Sequence, residues 1–188
     1  MKFSINCLNR ALIVVLSTAF LAGIGCTAMN PGLGTDFFGE KGTSRTIAVL
    51  PFENLSGKAA PLDDIQQLLA GMLQAQGLSV LDNGRMEAFM ARHRIRYTGG
   101  IDAPTAQALR RETGADAVLI TTLELYASDL ALNPKVSLIC RLVSTGEKPV
   151  ILWMDSVGLA GDESPGILEL GVIRDRKKLL EKAVQRLS

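Results

Sequence analysis

Gly57-Lys58 follows an apolar run and precedes a helical pattern, which is where a phosphate-binding loop places its Gly-Lys pair. Such a loop also needs a glycine five residues before Gly57 and a hydroxyl side chain after the lysine, but Phe52 and Ala59 stand there. Gly34 and Gly39 have the right separation, yet Glu40 occupies the lysine position and no strand precedes them. The sole histidine, His93, is the one candidate for a histidine general base. It lies in Arg92-His93-Arg94-Ile95-Arg96, whose positive charges disfavour its protonation, so the segment reads as a solvated helix end. Gly161-Asp-Glu-Ser164 has one residue too many for a nucleophile elbow. The adjacent acids Asp63-Asp64 and Asp162-Glu163 suit a helix start and a soluble loop better than paired acid–base work. One histidine and few cysteines make a poor metal site. These residues lead us to expect a protein that is not an enzyme and uses no cofactor or metal.

The cysteines carry the most informative chemistry. Lys2 and Arg10 form a positive region, an apolar run extends from Ala11 to Leu21, and small residues at Ala22, Gly23 and Gly25 lead to Cys26. This is the layout of a secretory signal peptide, and the run is shorter than the ~20 residues that a membrane-spanning helix needs. Gly23-Ile24-Gly25-Cys26 resembles the bacterial lipobox, with Gly23 where that motif usually has an aliphatic residue. The resemblance implies cleavage before Cys26, diacylation of its thiol and acylation of the new amino group. Several acyl chains, at ~0.8 kcal/mol per buried CH₂, would anchor the chain stably. Thr27 replaces the aspartate that retains some lipoproteins in the inner membrane, so the resemblance points to the outer membrane with the domain facing the periplasm. Cys7 would leave with the signal and Cys26 would be lipidated, so Cys140 would have no partner for an intramolecular disulfide. Its apolar surroundings mark it as a small buried hydrophobe rather than a catalytic thiol.

Removing residues 1–25, with their two basic groups, leaves 163 residues carrying 18 basic and 19 acidic side chains. That length suits one domain with its own core. The balanced charge gives no nucleic-acid footprint, and 47% hydrophobic residues exclude a largely disordered chain. We expect a signal peptide over 1–25, a lipidated cysteine and flexible tether over 26–45, and one periplasmic domain over 46–188. The tether assignment rests on the Gly-rich, non-periodic stretch Thr27 to Ser44.

Within the domain, Thr46 to Phe52 reads as a strand closed by Pro51. Pro61 to Gln76 reads as a helix whose Leu62, Ile65, Leu68, Leu69, Met72 and Leu73 share a core face, with Gly77 as its left-handed cap. Leu78 to Leu81 is a short strand, Asp82 or Asn83 caps a helix carrying Met86, Phe89 and Met90, and Asp102 starts another that Gly114 ends. Ala117 to Tyr126 is a strand; Val136, Leu138, Cys140 and Leu142 then alternate with polar neighbours and pair with Val150 to Leu159 as a hairpin. Arg174 to Leu187 is an amphipathic helix with Leu180, Val184 and Leu187 inward. The order β-α-β-α-α-β-β-β-α predicts an α/β (α+β) fold, a mixed sheet with helices packed on it.

Two surfaces are candidates for partner contact: the basic group Arg92, Arg94 and Arg96, and the apolar loop residues Ile167, Leu168 and Leu170. Their plain alternatives are a solvated face for the first and packing under the last helix for the second.

Ile47-Ala-Val-Leu-Pro-Phe-Glu-Asn-Leu55, the span Arg85 to Asp102, Thr105 to Leu119 with its Gly114-Ala-Asp116, and the hairpin through Trp153 together resemble the TolB amino-terminal-like and curli-assembly (CsgG) lipoprotein group. That group includes flagellar outer-membrane lipoproteins and lipoprotein activators of penicillin-binding proteins. The resemblance implies an anchored, non-enzymatic adaptor for envelope assembly, secretion or regulation, with an envelope protein as partner and homo-oligomers left open. The strand pairs of a transmembrane pore are not recognisable in this chain. A small-ligand binder or enzyme using the Glu53 to Lys58 segment, and a ring-forming secretion subunit, are the alternative readings.

Overall fold

The computed structural model describes residues 45–128, 133–163 and 171–187. Cys26, the tether and Ile167, Leu168 and Leu170 lie outside the described residues. The strands are β1 (Thr46–Val49), β2 (Glu53–Asn54), β3 (Ser79–Val80), β4 (Ala117–Ser128), β5 (Pro134–Ser144) and β6 (Ile151–Ala160). The helices are α1 (Leu62–Ala75), α2 (Asn83–His93), α3 (Ala103–Thr113) and α4 (Arg176–Arg186). They form an α+β fold around one mixed sheet of order β3-β1-β4-β5-β6, with β2 also paired to β4.

One half of the sheet is parallel and the other is a meander. β1 runs parallel to both β3 and β4, with Ile47 opposite Val80 and Ala117, whereas β4, β5 and β6 are antiparallel neighbours. The strand expected from Thr46 to Phe52 is shorter than that, and a second short strand follows it outside those bounds. β1 ends at Val49, and the chain rejoins β4 at Glu53, opposite Thr122. Pro51 lies in the gap, and a residue without an N–H cannot extend the ladder.

Neighbouring residues of β1 and β4 feed opposite cores. Ile47, Val49 and Leu119 pack with Ile65 and Leu69 of α1 and Leu180 and Val184 of α4. Ala48, Leu50, Val118 and Ile120 pack with Met86 and Phe89 of α2 and Leu109 of α3 on the other face. The expected inward sets of α1, α4 and β5 are therefore largely met. Leu68 and Met72 are half-buried at the margin of the first core.

Helix ends follow the polar punctuation. Asp82 accepts a bond from Arg85 N (3.1 Å), Asp102 from Thr105 N (3.0 Å), and Asp175 from Lys177 N and Lys178 N. The Asp102 carboxyl is held below its usual range, first by its hydrogen bonding to Thr105. After Gly114, at φ +75°, Asp116 accepts the Thr46 N–H at 3.0 Å, so the turn ending α3 also fixes the start of β1.

Two glycines of the meander have opposite surroundings. Gly161 donates to the Pro134 carbonyl and accepts from Ile173 N, and a Cβ there would run into the Ile173 carbonyl and the Pro134 ring. A Cβ at Gly158 meets nothing within 4 Å. Denaturant titration should find Gly161→Ala destabilised by about 1–3 kcal/mol and Gly158→Ala changed by less than about 0.5 kcal/mol.

Cys140 is 1% exposed in the first core, with Sγ 3.4 Å from Thr121 Oγ1. Burial pushes its thiol up to about 11, so it stays protonated at neutral pH. Iodoacetamide at pH 8 should modify Cys140 on the order of 100-fold more slowly in the folded protein than in denaturant, as read by peptide mass.

Candidate functional site in the α2–α3 connector

The basic segment singled out in the sequence does not form one patch. Arg92 and His93, in the last turn of α2, both turn to Glu112 in the last turn of α3; His93 Nε2 is 2.7 Å from Glu112 Oε1. The His93 ring also lies against Phe89, with centroids 4.4 Å apart. The expected free, solvated His93 is thus a clip between two helices, because the chain returns a carboxylate beside the cluster. Hydrogen bonding from His93, the largest effect, holds the Glu112 carboxyl below its ordinary range. Protonating this carboxylate therefore weakens the clip on the acid side of that range.

Arg94 and Arg96 are exposed. Arg94 caps α2 at φ +55°, ψ +35°, a left-handed conformation that ordinarily falls to glycine or asparagine. It is the one non-glycine residue with positive φ among the described residues. Arg96 begins the connector that runs to Ile101.

Under this connector lies a cleft of about 400 Å³. Its apolar wall is Leu50, Met86, Phe89, Ile95 and Ile101; Arg96, Tyr97, Asp102 and Thr105 complete the rim. Tyr97 is 64% exposed although its ring approaches Gly100, so a large aromatic side chain stands at the mouth without being consumed by the core. A site with an apolar floor and few polar rim groups can receive an apolar side chain while orienting a charged neighbour. By contrast, the space beside Cys140, Trp153 and Leu187 is about 30 Å³, room for a water or two, and is a packing gap rather than a site.

The sheet holds the connector in place. Arg141 of β5 donates from Nη2 to the Gly99 carbonyl at 2.7 Å, joining residues 42 apart. Glu53 of β2 accepts from Thr122 Oγ1 at 3.1 Å and lies against Gly99 so closely that a Cβ there would stand inside its carboxylate. No pattern in the sequence assigns a role to Arg141 or Gly99; only the pairing of β2 and β5 with β4 brings their segments together. The Glu53 to Lys58 segment, considered as a ligand cleft, is organised by Asn54, which accepts from Ser56 N and donates to the Lys58 carbonyl. Asn54 thus supplies that turn's internal polar bonds, and Glu53 serves the connector.

No protein-family model matches the chain, and none of the curated proteins does. Among solved structures, lipoprotein GNA1162 from Neisseria meningitidis is 22% identical with a TM-score of 0.55, over 76% of this chain and 97% of that one. The hypothetical protein CT253 from Chlamydia trachomatis is 14% identical with a TM-score of 0.50, over 77% and 96%. The LpoB C-terminal domain from Salmonella enterica is 14% identical with a TM-score of 0.48, over 68% and 92%. The likeness to the first two is one of fold alone: this chain shares its α+β architecture with GNA1162 and CT253.

Proposed function

We propose that this chain is a lipoprotein anchored at Cys26 in the outer membrane, facing the periplasm, and that it acts without catalysis as an adaptor in envelope assembly, secretion or regulation. In this reading it belongs with the TolB amino-terminal-like and curli-assembly group, and the connector cleft receives an apolar side chain of an envelope protein with an acidic neighbour for Arg96. The cleft carries the proposal: its apolar wall is rimmed by the exposed Arg96 and the exposed Tyr97. Tyrosine and arginine are residues that anchor protein interfaces.

The position of the cleft suits a tethered adaptor. The chain enters β1 at Thr46, while Leu50, just past the other end of β1, forms part of the cleft wall. The docking end therefore faces away from the point where the tether joins.

A photo-reactive residue at Tyr97 in the full-length protein, irradiated in native membranes, should capture one envelope protein reproducibly. Arg96→Glu should reduce that yield at least tenfold, and Cys26→Ser should lose it. Absence of a specific product, or one indifferent to Arg96→Glu, overturns the assignment of the cleft.

Arg94 offers a second test. A left-handed non-glycine residue costs about 1 kcal/mol, so Arg94→Gly should stabilise the domain in denaturant titration by up to that amount. If its guanidinium serves the partner, the same variant should lower capture at position 97 severalfold.

A further inference from the structure

β6 is the last strand of the sheet, and among the described residues nothing pairs with its outer edge. A ten-residue open edge is a template for another strand, and proteins usually blunt such edges with lysine, proline or bulges. β6 contains no lysine or proline, its single ionisable side chain is Asp155, and its one bulge, at Leu152, is confined to the start of the strand. Ile151 and Met154 are 58% and 60% exposed. On the sheet face covered by α2 and α3 near β1 and β4, no described helix reaches β6, so Met154, Ser156 and Gly158 lie open.

We infer that the outer edge of β6 pairs antiparallel with β6 of a second copy of this chain, about a two-fold axis at Ser156. The order of side-chain sizes selects this occupant and register. With Ser156 opposite Ser156, Met154 falls opposite Gly158 on the open face, a large side chain over a position where even a Cβ meets nothing. On the other face Trp153 falls opposite Leu159, and Asp155 opposite Val157 rather than its own copy. Like charges are thereby kept out of direct opposition, which a self-paired strand requires. One patch serves both subunits, as two-fold contacts demand.

The backbone is prepared for this exchange. The Ser156 N–H donates to Asp155 Oδ1 at 2.8 Å, so the polar backbone at the middle of the edge is satisfied by a side chain rather than left bare. On pairing, that N–H passes to the Ser156 carbonyl of the second copy and the Asp155 carboxylate returns to water. Asp155 thus guards the edge in the separate subunit without forbidding the pair.

Ser156→Cys in the full-length protein, oxidised in native membranes, tests the pairing. Opposed residues in a hydrogen-bonded antiparallel pair have Cα atoms about 5.5 Å apart, within disulfide reach. Most of the chain should become a disulfide-linked dimer, with the 156–156 linkage found by peptide mapping, while Lys58→Cys stays monomeric. Adding Gly158→Lys, which the open surroundings of Gly158 let the monomer accommodate, should cut the dimer yield at least tenfold while the protein keeps the far-UV circular dichroism of the folded domain. The inference is overturned if Ser156→Cys gives no dimer or links to a different protein, if Lys58→Cys links equally well, or if Gly158→Lys leaves the yield unchanged.

Discussion

Burial of β4 on both faces is the constraint on which the rest depends. Its first seven residues, Ala117 to Leu123, are all buried. A strand enclosed on both sides needs apolar or internally satisfied side chains at successive positions, which is why Ala-Val-Leu-Ile gives no alternation. It also needs a covering layer on each face. α1 and α4 supply one, around Leu119 and Leu123; α2 and α3 supply the other, around Val118 and Ile120. Thr121, fully buried, places its hydroxyl beside the Cys140 sulfur and so avoids stranding a polar group.

Where that double cover ends, the molecule changes character. Beyond Leu123 exposure returns to β4, with Tyr126 still buried, the register with β5 shifts between Leu123 and Leu125, and the open face continues onto β5 and β6. The connector crosses near this boundary, and polar groups hold it there: Arg141 to the Gly99 carbonyl, and Glu53 packed on Gly99. Arg141 Nε is buried without a partner, so this attachment carries a desolvation cost. The guanidinium fixes the connector to the sheet over the cleft while Arg96 and Tyr97 stay in solvent.

Local chemistry made most elements legible. Periodicity placed Ile65, Leu69 and Leu73 on one face of α1, Asp102 and Gly114 bounded α3, and alternation oriented Val136 to Leu142. Each of these signals acts within a few residues. Pro51 is legible as the close of the first strand, but the return of the chain to β4 at Glu53 is not, because it depends on a partner strand far along the sequence. The Arg92–His93–Glu112 clip and the Arg141–Gly99 bond join residues 19 to 42 positions apart. No periodicity encodes such contacts, since they arise only once α2, α3 and β5 take their places about β4. The basic cluster was therefore readable as charge but not as the division between Arg92, which is engaged, and Arg94 and Arg96, which face solvent.

That division sets how the domain can present two surfaces without conflict. The clip and the connector lie on the parallel half of the sheet, with the cleft wall at Leu50; the open edge lies on the meander, two strands beyond β4. An attachment at β6 adds backbone bonds along the sheet direction, whereas a side chain entering the cleft meets Met86, Phe89 and Ile101 above it. The two events compete for no residue. Both are read against the same support, because Arg141 stands on β5, the strand that pairs with β6, and holds the carbonyl of Gly99. Any change in the twist or register of β5 caused at the edge would therefore reach the connector through a single hydrogen bond rather than through a general loosening of the core.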